Sequence, residues 1–348
     1  MKSRNLALSV LGLFSVAWLA KTAVFSGALS KLAEESQLGA CQRFEGIQGP
    51  EDLERIDASN VLVSSNFHHP RFLDPTLRGG LILFTGLTPV VLDTSSVPDF
   101  RPHGIGVLNR PGAPGRPLVA VVNHAAAGDR IEVFELELAT RKLSLVRSVS
   151  DPKLLVNAND VVLLSEDELL ITHDHASTSK AAKKVEDVVR AGLSYVSYWR
   201  GSAGTKVLGG LNFANGLAAL GDGSFALASM LDKTIYRVSW KVRGQALVID
   251  RSVVVPGFPD NVHLDANNQR LWVALHHDIL ALSAFSEGRR PGSPSQVITL
   301  RADLSDLHSE FASNEARFAA LSSALEVGPG VFLGNIYSDH LDYCAHRN

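Results

Sequence analysis

Five short polar pairs hold most of the chemistry open to this chain: Glu51-Asp52, His103-Gly104, Asn159-Asp160, Asn215-Gly216 and Asp260-Asn261. Together they offer four carboxylates and three carboxamides, all hard oxygen donors, and no thiolate. Ca²⁺ takes six to eight such oxygens in flexible geometry, whereas Mg²⁺ keeps few protein ligands and Zn²⁺ would draw on imidazoles. Imidazoles occur in the same units, at His68-His69, His124, His173-Asp174-His175 and His276-His277. Near neutral pH a histidine is the natural general base, and a second one can hold its tautomer. His103 and His124 are the candidates for those two roles. Three blander readings compete. Asp and Asn also open strands as turn residues. A lone histidine can be structural. One member of each adjacent histidine pair could ligate zinc, since neighbours on a strand point to opposite faces.

Each polar pair opens a repeat of an aliphatic strand, a turn and a second apolar strand. The units run from Leu53 into Val61-Leu62-Val63, from Ile105 into Val119–Val122, and from Val161 into Leu169-Leu170-Ile171. The others run from Leu217 into Phe225-Ala226-Leu227, from Val262 into Leu271-Trp272-Val273, and from Ser323-Ala324-Leu325 into Val331-Phe332-Leu333. Their aliphatic anchors are 52, 56, 56, 45 and 63 residues apart. Six such units, with further strands at 130–138, 143–149, 234–240 and 246–255, predict an all-β fold, a six-bladed β-propeller. A pair of β-sandwiches also has regular short strands, but does not require a polar pair at the head of every unit. In a propeller the first strand of each blade lines the channel and the second runs back beside it. The polar pairs and the histidines that end the second strands should therefore meet at one mouth. The segment 177–196 breaks the pattern: Val185, Val188, Val189 and Leu193 have helical spacing, which predicts a helix inserted in the third unit.

The composition fits a globular core: 348 residues, 45% hydrophobic and 20% charged. A net charge of −3 without a basic patch argues against nucleic acid. Two cysteines, Cys41 and Cys344, exclude zinc-finger and iron–sulfur frameworks. No G-x-S-x-G, H-E-x-x-H, P-loop or G-x-G-x-x-G motif is present. Basic residues 1–5 precede the uncharged apolar run Leu6–Ala20, the pattern of a secretory signal or a retained anchor. The expected division is thus 1–35 as signal peptide or membrane anchor with linker, and 36–348 as the propeller. The protein should be secreted or extracytoplasmic, with possible membrane association through its N-terminal segment. No Asn-x-Ser/Thr sequon occurs.

The sequence resembles the paraoxonase/arylesterase family of six-bladed, calcium-dependent lactonases. The likeness is carried by Gly49-Pro50-Glu51-Asp52-Leu53, Pro102-His103-Gly104-Ile105, Val122-Asn123-His124, Asn157-Ala158-Asn159-Asp160, Phe213-Ala214-Asn215-Gly216, Asp260-Asn261 and Leu271-Trp272-Val273 with His276. It implies two calcium ions per chain. The catalytic one would be held by Glu51, Asn159, Asn215, Asp260 and Asn261, and the deeper one by Asp52, Asp160 and the Ile105 carbonyl. It further implies His103 as general base, His124 as its partner and a Cys41–Cys344 disulfide. The substrate would be a small-molecule lactone or aryl ester, with phosphotriesters as a side activity. Phe213, His276, Ile336 and Tyr337 would line the pocket, with His69 where the family carries a tyrosine. Two alternatives stay open: a sugar lactonase, and a non-catalytic propeller that binds a protein partner.

Overall fold

The computed structural model describes residues 21–67, 77–265, 269–314 and 316–347. Each repeat unit folds into one antiparallel sheet whose strands follow chain order outward. The innermost strands are Pro50–Arg55, Pro102–Leu108, Ala158–Leu163, Ala214–Ala219, Phe258–Asp265 and Leu321–Val327. Each touches the next around a closed ring, the last meeting the first, so the fold is the expected six-bladed propeller.

The strands read as apolar runs because both faces of each blade are covered. In Leu118–Ala125, Val119 and Val121 pack toward the first blade, while Ala120 and Val122 pack toward the third. The core is thus six apolar wedges between neighbouring blades.

The ring is closed by the N-terminal strand Leu38–Glu45, which pairs with His340–His346 to complete the sixth blade. Cys41 and Cys344 face each other in that pairing and form a disulfide 303 residues apart in sequence. Closing so long a loop stabilises by roughly 5 kcal/mol in the chain-entropy model. Unreduced protein should therefore show no titratable thiol after denaturation. Cys41→Ser should cost about 2–5 kcal/mol, read from urea unfolding; two free thiols in exported protein would contradict the pairing.

Two expectations need correction. The inserted helix is Lys180–Val189, shorter than 177–196. Ser179 caps its start, Arg190 ends it in the left-handed region, and residues from Ser194 already belong to a strand. Val185, Val188, Val189 and Leu193 are exposed, so their periodicity marks no buried face. In the sixth unit the irregular position is Ser322, ahead of the expected Ser323-Ala324. No helix among the described residues is long and apolar enough to cross a membrane. The expected signal or anchor, Leu6–Ala20, lies outside the described residues.

Candidate active site

The first five inner strands break ladder register at the polar pair itself. Pairing jumps from Pro50 to Leu53, Pro102 to Ile105, Ala158 to Val161, Ala214 to Leu217 and Pro259 to Val262. A bulge frees the intervening residues from the alternation that would point one of each pair away. Both can then face the channel. Two pairs contain glycine for a steric reason. A Cβ on Gly104 would lie 2.4 Å from the Asn159 carbonyl oxygen, and one on Gly216 would lie 2.6 Å from the Asn261 Cα.

Glu51, Asn159, Asn215, Asp260 and Asn261 are all buried. Their hydrogen bonds run sideways around the ring. Asn215 donates to Asp260 Oδ1 at 2.6 Å, and Asn261 donates to Glu51 Oε1 at 2.9 Å and to the Glu51 carbonyl at 3.1 Å. The amide nitrogen of Asn159 lies 3.4 Å from His103 Nε2. This leaves four buried oxygens from four blades without a donor: Glu51 Oε2, Asn159 Oδ1, Asn215 Oδ1 and Asn261 Oδ1. Burial, then Asp260 and Asp160, push the Glu51 carboxyl well above its usual range. A buried oxygen with no donor is costly, and four in one ring form a cradle that a hard cation satisfies.

The lower pair is different. Asp52 accepts from the backbone amides of Leu53 and Ile105, both at 2.8 Å, and Asp160 from those of Val161 and Leu217 at 2.7 and 2.6 Å. These carboxylates staple the first blade to the second and the third to the fourth. Burial raises both well above the ordinary carboxyl value, with the neighbouring acids adding to it. His263, which the sequence reading missed, places Nε2 3.4 Å from Asp52 Oδ1. Burial, helped by Arg55, drives its pKa down to about 3, so it stays neutral.

His103 and His124 meet as expected, with ring centroids 5.0 Å apart. His103 Nδ1 lies 3.7 Å from Glu51 Oε2. His124 Nδ1 is 2.9 Å from Asp129 Oδ1, and Asp129 Oδ2 accepts from the Ala158 amide at 2.9 Å. Burial alone would raise the Asp129 carboxyl, but the His124 contact and that amide hold it below its usual value. Asp129 also escaped the sequence reading. It belongs to the Gly128–Glu137 strand, outside every polar pair.

Above the ring lies a cavity of about 390 Å³. Phe213, His276, Ile336 and Tyr337 line it as expected, together with Glu51, His103, Asn159, Asn215 and Asp260. Phe213, which lines the mouth, has φ +63°, a strained conformation for an aromatic residue. His276 Nε2 is 2.7 Å from Asp260 Oδ2. His69 and His68 lie outside the described residues. Of the other histidines, His173 is fully buried, with Nδ1 2.8 Å from the Val156 carbonyl oxygen and Nε2 2.7 Å from Ser197 Oγ, a structural role. His277 turns to Ser30, at 2.9 Å. The rest of the wall comes from Asp174, Asp187, Met230 and the helix Ile279–Ser286. That helix, ILALSAFS, is mostly apolar, with only Ser283 and Ser286 as polar positions, so no amphipathic periodicity marked it.

A family model described as Arylesterase matches residues 90–337. Human serum paraoxonase/arylesterase 1 is 26% identical over 308 residues, covering 84% of this chain and 85% of that protein. Human serum paraoxonase/lactonase 3 is 23% identical over 322 residues, covering 87% and 88%. Among solved structures, a gluconolactonase from Xanthomonas campestris superposes with a TM-score of 0.54 at 14% identity, covering 91% of this chain and 94% of its own; this supports the fold. With a match across most of the propeller and the ring intact, the chain belongs to the arylesterase family.

Proposed function

We propose that the channel mouth hydrolyses lactones and aryl esters in a calcium-dependent reaction, within a catalytic unit spanning 36–348. The observation that carries this is the ring of four orphaned oxygens beside the His103–His124 ring pair, with Asp129 bonded to His124. Glu51, Asn159, Asn215, Asp260 and Asn261 would hold the ion. An ion held by these residues would supply Lewis acidity toward a substrate carbonyl and positive charge where negative charge develops.

The chain's own residues do the rest. His103 takes a proton from the attacking water. His124 shares that proton, and Asp129 holds Nδ1–H of His124, leaving Nε2 as its accepting nitrogen. Phe213, Ile336 and Tyr337 exclude water around the acyl group. Phe213, Met230, Ile279, Leu282 and Ile336 give part of the wall an apolar face for an acyl chain, while the acids, amides and histidines beside them would equally receive a sugar lactone, which is the second reading. A platform for a protein partner has no use for a carboxylate-oriented histidine pair.

A second ion at Asp52, Asp160 and the Ile105 carbonyl remains part of this proposal, supported by the raised carboxyls and the family likeness. The disulfide suits an oxidising, extracytoplasmic compartment.

Chelation is the direct test. EDTA should abolish lactonase activity and then lower the melting temperature, and added calcium should restore both. Metal analysis should return calcium near two per chain, whereas stoichiometric zinc would overturn the assignment.

A further inference from the structure

Beside the catalytic mouth lies a second chamber of about 490 Å³. The two adjoin along Asp187, Phe213, Met230, Ile279 and Ser283, which line both. The second chamber is mainly apolar, walled by Phe25, Val188, Val189, Leu231 and Leu280. Val188, Val189 and Leu280 are half exposed or more, so it opens to solvent.

Its charges are uneven. Lys21, Lys184 and Arg190 line it. Arg190 lies over the Phe25 ring, 4.3 Å from the centroid, and Lys233 approaches that ring at 5.0 Å. Among the described residues, none of these four cations is paired with a carboxylate. The one acid in the wall, Asp187, is already held by His175 Nε2 at 2.9 Å. Burial opposes the charge on His175, but its bonds to Asp174 and Asp187 lift its pKa to about 9. The wall therefore presents net positive charge in an apolar chamber that adjoins the mouth, carried by Lys21, Lys184 and Arg190, which line this chamber and not the mouth.

We infer that this chamber selects amphiphilic substrates: the acyl chain lies along its apolar wall, and an anionic group at the chain's far end is received by Lys184 and Arg190. This rests on the hydrolytic reading of the adjoining mouth. Neither residue touches the reacting atoms; they set specificity.

The test compares 4-nitrophenyl octanoate with the mono-4-nitrophenyl ester of octanedioic acid, which differs by a terminal carboxylate. The full-length calcium-loaded protein should favour the carboxylate by about tenfold in kcat/KM, the worth of one charge-assisted hydrogen bond. Raised salt should shrink that preference. K184Q/R190Q should bring the ratio toward one, and R190E should reverse it. K153Q, on the loop before the third blade, should leave the ratio alone. Calorimetric binding of the matching non-hydrolysable amides gives the same comparison without turnover. Equal affinity for the two amides, or equal kcat/KM in an active enzyme, overturns the subsite and leaves the hydrolytic reading standing. Hydrolysis of neither ester, with the anionic amide still preferred, overturns the hydrolytic reading and supports the subsite. Loss of the soluble preference, with neutral-ester hydrolysis raised by phosphatidylglycerol vesicles, would reassign the charge to a lipid surface and overturn it.

Discussion

His103→Gln is expected to lower kcat for lactones by about 10²–10⁴-fold, the usual cost of losing a general base. Calcium content and melting temperature should hardly move. None of the four orphaned oxygens belongs to His103. Glu51 stays anchored through its bond from Asn261, and a glutamine amide can still meet the Asn159 side chain. Hydrolysis of esters with good leaving groups should suffer less, because they need less help from a base. The measurement pairs kcat on a lactone series with metal analysis and a thermal melt. Full lactonase activity in this variant would move the base elsewhere, first to His124 and then to His276.

Asp260→Asn should fail in a different way, with calcium and activity lost together. Asp260 accepts from Asn215 at 2.6 Å and contacts His276 at 2.7 Å. An asparagine has only one accepting oxygen, so it cannot serve both neighbours as the carboxylate does. The ring loses a charge, and if the asparagine oxygen keeps the bond from Asn215, an amide NH2 replaces the oxygen that faces His276. Residues that merely orient a metal ligand already change affinity by about 10–100-fold, so at least that loss is expected here. Calcium titration followed by activity and melting temperature reads it directly. Millimolar calcium should recover part of both. Calcium affinity equal to wild type would remove Asp260 from the proposed shell.

The two variants also show what the sequence could disclose. The mouth was legible because polar pairs recur at blade spacing, and five inner strands do put them on the channel. The disulfide came from family likeness, since two cysteines alone say nothing about distance. Asp129 was not legible: it lies in the third strand of its blade, and only register brings it opposite His124. His263 is one residue past an aliphatic anchor, where strand alternation hides its turn toward Asp52. The helix Ile279–Ser286 has no charged face to betray it, only the two serines Ser283 and Ser286. The inserted helix was overdrawn because its valines keep helical spacing without being buried, and a strand pairing from Ser194 overrides propensity beyond residue 190.

The closing strand has a further consequence, in time. Leu38–Glu45 is made before nearly all of the propeller, and its partner His340–His346 only after the other five blades. During synthesis this strand must wait, unpaired, through nearly the whole propeller, so the ring cannot lock until the sixth blade has been made. Waiting carries little oxidative hazard. With only two cysteines there is one intramolecular pairing, and no scrambled isomer exists for an isomerase to repair. A premature mistake can arise only between two chains, through Cys41 exposed before Cys344 arrives. Given an oxidant to close the bond, dilution during folding, rather than an isomerase, should therefore decide how much of this protein matures correctly.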